Sequence, residues 1–422
     1  MTIKNVERTC FSYPKPIIIL LFLMLIPLPT FATNFALVGT RATGMGGAAV
    51  SNPDGAYAIY WNPGKHFSGS YWNLVLPSGG FHVEQHNDII KHLEDMANIL
   101  REYDIGDEKL SNNSEVVQRL RPIIYKMDQQ GTGLVSDFHA GCLLTLNRVK
   151  VGYLGLAFGG VSFIMDTVNL DVDGEDVENP ITENESVINS WAIYTHQMIL
   201  GYTQPLFDFE SAAGKKHLLS LGLTAKYIHA TTYVYHASIY EKYIDEITRD
   251  VEFDYQEEQS SNGSLDVGLH YNINNTWQFG LLFRDCTSPE FKTAVIEGSS
   301  RETVELPFQS RAGFSYHHPS DFTIAFDFDL TENDSSTLDG YKDRRLGLGL
   351  EKSIFNGHLT LRTGYYHNIA ESGFNSVITV GLAARIKPFR IDASLGISPG
   401  NYGSEDIFYI DETVAAFHIS LY

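Results

Sequence analysis

Side chains able to do chemistry are common in this 422-residue chain, but their spacing gives few of them a partner. The stretch GTRATGMGGAAVSNPDGAYAIYWNPG, residues 39–64, carries the glycines that a phosphate cradle uses. Such a cradle needs a strand before the glycines and a helix after them, so that backbone N–H groups point at the anion. Gly44, Gly46 and Gly47 lack the GxGxxG spacing, no Lys-Ser/Thr follows, and Asn52-Pro53-Asp54-Gly55 stops any helix after about one turn. Nucleotide binding is therefore disfavoured. The acidic run Asp171, Asp173, Glu175, Asp176, Glu178 resembles a calcium loop only loosely, because Gly174 stands fourth rather than sixth. Together with residues 245–258 it reads as a solvated face; the sharper alternative is divalent cations bridging it to phosphate groups. His82, His86 and His92 are scattered along the chain, so no metal site is expected there. Cys142 and Cys286 stand far apart without CxxC spacing, which favours neither a disulfide framework nor zinc. No nucleophile has a nameable base beside it. Catalytic residues and cofactors are accordingly not expected, and hydrolase chemistry is disfavoured.

Lys4, Arg8 and Lys15 precede an apolar run at residues 17–29, which ends in Thr30-Phe31-Ala32. This is the pattern of a secretory signal peptide over residues 1–32, with cleavage expected after Ala32. The run is about 13 residues, short of the roughly 20 that span a bilayer as a helix. Cys10 lies ahead of the run, so it leaves with the leader and is no lipoprotein cysteine. The formal charge is −21, and removing a leader of net +2 makes the remainder more acidic still. Nucleic acid is excluded as a partner on that balance. No later run is long and apolar enough for a transmembrane helix, and no TonB-box-like segment stands out near Thr33.

Beyond about residue 70 the dominant period is two. Phe322, Ile324, Phe326, Phe328 and Leu330 alternate with Thr323, Ala325, Asp327 and Asp329, and Leu346, Leu348 and Leu350 alternate with Arg345, Gly347, Gly349 and Glu351. Fourteen candidate strands follow, near 71–85, 137–147, 150–168, 187–206, 216–239, 263–273, 276–286, 307–317, 321–331, 343–352, 358–369, 374–386, 389–398 and 411–422. Their connectors alternate between tight turns, as at Asn356-Gly357 and Lys387-Pro388, and long polar loops at 86–136, 169–186, 240–262 and 287–306. Short turns on one side and long loops on the other are what an outer-membrane barrel shows, with the apolar face turned to lipid. A soluble barrel with that face inward stays open, because alternation alone does not assign in and out. Aromatic residues gather at strand ends, Tyr271 with Trp277 and Tyr316 with Phe322, as an interfacial girdle requires. The closing strand, with Phe417, Ile419 and Leu421 ahead of Tyr422, is of the kind that barrel assembly machinery reads. Within 87–130, Ile89, Ile90, Leu93, Met96 and Leu100 recur at helical spacing, and Ser114–Met127 gives a second amphipathic helix despite Pro122. That helical insert is expected on the outer side, either packed on itself or serving as a lid or docking surface.

Gly44-Met45-Gly46-Gly47-Ala48-x-Val50, then Asp54 and Ala56, then Tyr60-x-Asn62-Pro63, resembles the N-terminal hatch of the FadL-type outer-membrane transport family and its TraF-like and PorV-like relatives. Leu306-Pro307, Leu346-Gly347-Leu348-Gly349 and Leu361-Arg362-Thr363-Gly364-Tyr365 are also similar to that group. One departure is that the motif usually reads Asn-Pro-Ala, whereas Gly64 stands third here. The resemblance implies an all-β transmembrane barrel of about fourteen strands over 70–422, its lumen closed by a hatch at 33–69 that carries Gly44, Gly46, Gly47, Asn62 and Pro63. Inward Arg284, Arg311, Arg345 and Arg362, opposed by Asp266, Asp327, Asp329, Glu351 and Asp392, are candidates to hold that plug or to pair across strands. The family's third strand is kinked to give a sideways passage, which here would fall at Gly159 and Gly160; the alternative is that these glycines only make room for neighbours. The implied function is passive uptake of hydrophobic small molecules in the bacterial outer membrane, in contact with lipid and lipopolysaccharide. The alternative is a non-transporting partner of a secretion or conjugation system.

Overall fold

A computed structural model describes residues 31–32, 35–102, 114–167, 186–238, 256–294, 303–335, 338, 340–370, 376–399 and 410–422. Alternating side chains drive the chain into long strands, and these pair in sequence order until the last meets the first. The strands are β1 (Trp72–His86), β2 (Gly133–Leu146), β3 (Val149–Ile164), β4 (Val187–Glu210), β5 (Lys216–Ser238), β6 (Gln256–Ile273) and β7 (Trp277–Arg284). They continue as β8 (Gln309–His318), β9 (Phe322–Asp329), β10 (Arg345–Ile354), β11 (Leu359–Asn368), β12 (Ser376–Ile386), β13 (Phe389–Pro399) and β14 (Ile410–Leu421). All neighbouring pairs are antiparallel, and β14 on β1 closes a fourteen-stranded barrel. Closure removes the free edges that an open sheet would expose.

Register settles which face is which. On β4, Met198, Leu200 and Tyr202 are 65 %, 58 % and 48 % exposed, whereas Gln197, Ile199 and Thr203 between them are buried. On β12, Ile378, Val380 and Leu382 face out while Val377 and Thr379 are buried. A continuous outer wall of bulky apolar side chains around a closed barrel belongs in lipid, so this is a membrane-spanning barrel with its apolar face outward. Aromatic rings touch in sequence along the turn side: Phe209 on His217 at 4.9 Å, Phe279 on Phe314 at 5.3 Å, Trp277 on Tyr316 at 4.5 Å.

Two strands are shorter than the roughly 9 to 11 residues expected of a tilted span. Trp277–Arg284 and Phe322–Asp329 have 8 residues each, because the connectors that follow them turn inward instead of prolonging the wall. The first makes a small hairpin, Glu290–Lys292 with Thr303–Glu305, whose Phe291 and Val304 are buried over the lumen. The second supplies Asn333–Ser335, which pairs with Lys342–Asp343 and, in parallel, with Phe31–Ala32. That last pairing uses the two residues ahead of the expected cleavage point. Conversely β4 and β5, with 24 and 23 residues, rise well beyond a bilayer.

Helices α1 (Ile89–Glu102) and α2 (Ser114–Met127) occupy the β1–β2 connector. Their apolar stripes face each other, Ile89, Met96 and Ile99 against Val116, Leu120 and Ile124, and the pair leans on Leu134, Phe163 and Ile188 at the rim of the wall. Of the two expected roles for the insert, self-packing is the one its apolar face performs. The acidic run 171–178 and residues 245–255 lie outside the described residues, as do Cys10 and Thr33.

Candidate functional site in the barrel lumen

Residues 35–64 are buried throughout except for half-buried Asn52 and Asp54, and they lie against the inner face of the wall. Only short helical turns interrupt them, at Thr40–Gly44, Gly55–Tyr57 and Ala58–Trp61. Segment backbone sits directly on strand backbone, which dictates the glycines on both sides. A Cβ on Gly222 would fall 2.0 Å from the Pro63 carbonyl carbon, and one on Gly347 would fall 2.2 Å from Gly46 O. Neither separation is possible for real atoms. Gly46 itself, at φ 61°, would place a Cβ 2.4 Å from Tyr365 O. The same constraint accounts for Gly64, since an alanine Cβ there would meet Gly268 O at 2.6 Å.

Asn62 and Pro63 fasten this end of the segment. The Asn62 amide donates to Val50 O within the segment and to Leu269 O on β6, both at 2.9 Å. Pro63 O accepts from Lys150 Nζ at 3.1 Å and from Thr203 Oγ1 at 2.6 Å, and Gly64 O accepts from Ser220 Oγ at 2.6 Å. Gly44 packs on Gly381, where a Cβ would sit 3.2 Å from its Cα, and Gly46 N donates to Thr379 Oγ1.

The lumen charges divide into two kinds. Asp327 accepts from the backbone N–H groups of Ala49 and Val50, both at 2.7 Å, and Arg284 donates to Tyr60 O at 2.8 Å while stacking on Phe35 and Tyr60. Glu351 bridges Arg41 of the segment, at 2.9 Å, to Arg362 of the wall, at 2.7 Å. Arg362 continues to Asp392 at 2.9 Å, and Arg390 links Asp392 at 2.9 Å to Asp54 of the segment at 3.4 Å. The other charges pair within the wall or its connectors: Arg311 with Asp329 at 2.6 Å, Arg345 with Asp343 at 2.8 Å, Asp266 with Lys226 at 2.7 Å. Arg311 also reaches the segment, its guanidinium 4.5 Å from the Phe35 ring centre. Arg41 and Lys150 were not singled out in the sequence, because nothing in their neighbours marks a lone charge as facing another element; Asp54 was, but as part of the motif and not as a partner of Arg390.

Opposite this charged sector the lining is apolar. Leu154, Leu156 and Phe158 of β3, Ile193 and Ile199 of β4 and Ile228 of β5 all point inward and pack with Phe35, Leu37 and Ile59 of the segment. A void of about 30 Å³ remains between Ile59, Leu156, Phe158 and Ile199, with Lys226 and Arg284 at its edge. On the turn side, below Asn52 and Asp54, a polar cavity of about 420 Å³ opens between Arg41, Glu351, Thr360, Arg385 and Arg390.

The glycine pair on β3 does not make a standing gap. Gly159 pairs with Ser136 and Ala192, and Gly160 with Val135 and Trp191, with no register shift on either side. Full-length partners on both flanks keep the ladder paired through this stretch. Register shifts occur elsewhere, between Val75 and Ser78 on β1, Pro205 and Phe207 on β4, Ser398 and Pro399 on β13, and His418 and Ser420 on β14; the first three lie at a proline, which donates no N–H. The histidines also differ from expectation. His82 and His86 converge inside the lumen on the inward face of β1, while His92 lies apart on α1.

Among solved structures, a FadL homologue of Pseudomonas aeruginosa is similar at 9 % identity and a TM-score of 0.49, covering 92 % of this chain and 98 % of that one. The toluene transporter TodX of Pseudomonas putida is similar at 10 % identity and a TM-score of 0.43, covering 93 % and 99 %. No curated protein matches the chain. A protein-family model described as F plasmid transfer operon, TraF, protein matches residues 60–329, more than half of the sequence, from the end of the lumen segment through β9. The chain therefore belongs to that TraF family, the branch of the FadL-type resemblance that its Tyr60-x-Asn62-Pro63 motif opens.

Proposed function

We propose that the protein is an outer-membrane channel for passive uptake of hydrophobic small molecules, in which residues 33–69 act as a hatch. The observation that carries this reading is the inward apolar sector of β3 to β5. A water-filled pore gains nothing from Leu154, Leu156, Phe158, Ile193 and Ile228 on its inner wall, whereas an apolar solute moving beside a displaced hatch does. The charged sector would then hold the hatch while the apolar sector yields. A sideways exit at Gly159 and Gly160 enters this reading as a transient opening, since the ladder is closed at rest. The test is uptake of a radiolabelled apolar solute by cells expressing the protein. Faster uptake than in empty-vector cells, lowered at least tenfold by Leu156→Arg with Phe158→Arg, supports the channel. Equal uptake with and without the protein overturns it. Replacing Gly159 and Gly160 by Val separates the two exits, leaving uptake unchanged if solute leaves through the turn-side mouth.

Family membership favours a second reading, a non-transporting partner of a conjugation system, because the matching family takes its description from a plasmid transfer operon. Under it, apolar solute uptake stays at the vector level while deletion of the gene lowers plasmid transfer.

A further inference from the structure

Three metal-binding side chains stand in a row on one strand. His82, Glu84 and His86 occupy alternate positions of β1 and so share its inward face. Register places Glu412 of β14 directly opposite Glu84, and Asp137 of β2 directly opposite His82. All five are buried. Two carboxylates directly opposite in a ladder repel, and burial removes the water that would screen them. Arg345 is matched by Asp343 at 2.8 Å and reaches Glu84 only at 3.8 Å. Three carboxylates are thus left facing two imidazoles.

We propose that His82, Glu84 and Glu412, whose ligand atoms all lie within 4.8 Å of one another, bind one divalent cation of the zinc class, with His86 beside them and water completing the coordination. His82 Nε2 lies 2.7 Å from Glu412 Oε1 and 3.8 Å from Glu84 Oε2, and His86 Nε2 lies 3.7 Å from Glu84 Oε1. Ligand atoms around a tetrahedral zinc with bonds of about 2.0–2.1 Å stand roughly 3.3 Å apart, and the two separations from His82 Nε2, 2.7 Å to Glu412 and 3.8 Å to Glu84, bracket that value. A second observation points the same way. His82 Nδ1 is 2.8 Å from Asp137 Oδ2, the outer-shell carboxylate that fixes a metal-bound imidazole with its Nε2 toward the ion. The Tyr366 hydroxyl donates to Glu412 at 2.5 Å and the Tyr341 hydroxyl to Glu84 at 3.2 Å, orienting both carboxylates. Imidazole and carboxylate together suit zinc over calcium or magnesium. Because β1 and β14 are the strands whose pairing closes the barrel, the cation fastens the closing seam. This site is independent of whether the barrel conducts a solute.

The experiment uses the full protein without a histidine tag, purified in detergent, stripped with chelator and titrated with zinc ion by calorimetry, with bound metal counted by elemental analysis. One equivalent is expected on the wild type. Glu84→Gln with Glu412→Gln is expected to weaken binding at least 100-fold, and Asp137→Asn by about 10- to 100-fold. Heat-dependent gel migration checks that each variant forms the barrel. If the double variant does not fold, the wild type loaded with cobalt(II) decides: strong visible absorption of a four-coordinate ion is expected. No saturable zinc binding, equal binding by wild type and folded double variant, or the pale spectrum of hydrated cobalt would each overturn the proposal and leave a protonated imidazole as the neutralising group.

Discussion

Gly64 shows how a single position is set by an approach that no local rule contains. The motif normally has alanine there, yet this chain brings Gly268 O to where that methyl would be. Gly64→Ala is accordingly expected to destabilise the barrel by about 1–3 kcal/mol through overpacking, read as a lower temperature for loss of the heat-resistant gel form. Glu351 makes the converse point. It is shared by Arg41 and Arg362, so Glu351→Gln leaves two buried guanidinium groups without their common carboxylate. Breaking a buried pair by removing one partner costs about 3–5 kcal/mol, and a matching fall in denaturant midpoint checks it. The sequence marks Glu351 and Arg362 as inward charges by their alternation with leucines, but it cannot show that Arg41, some three hundred residues earlier, completes the bridge. The same holds for Glu84 and Glu412: the His-x-Glu-x-His spacing on β1 is visible in the sequence, whereas the facing carboxylate needs the register.

Strands were the most legible elements, because period-two alternation and tight turns are local properties. All fourteen lie where the alternation puts them, with ends shifted by a few residues. What the pattern misses is the fate of the connectors, since inward hairpins such as Glu290–Lys292 with Thr303–Glu305 are fixed by contacts across the lumen. Gly159 and Gly160 were legible as a weak point of β3, whereas the continuous pairing on both flanks needs the register. The helical insert was readable as two amphipathic stripes, and its packing on itself follows from their mutual fit. Ile124, fully buried between α1 and α2, is a sensitive point. Ile124→Ala is expected to cost about 2–5 kcal/mol locally, which limited proteolysis would show as cleavage within 87–130 while the barrel remains protected.

At the scale of the molecule, the lumen is split between a charged sector that grips residues 35–64 and a sector on β3 to β5 whose apolar side chains pack on them, with hydrogen bonds at Pro63 and Gly64. Each of the fourteen strands gives the segment at least one contact, from Asn73 and His139 through Lys150, Thr203 and Ser220 to Arg390 and His418. Backbone seated that closely on Gly222, Gly347 and Gly364 disfavours threading the whole of residues 35–64 into a closed barrel. The expected consequence for assembly is an order in which residues 35–64 serve as the mandrel around which the sheet curls, and the seam shuts last. A peptide of residues 35–64 added to an already closed barrel lacking them is expected not to restore heat resistance, while the same residues synthesised at the head of the chain do.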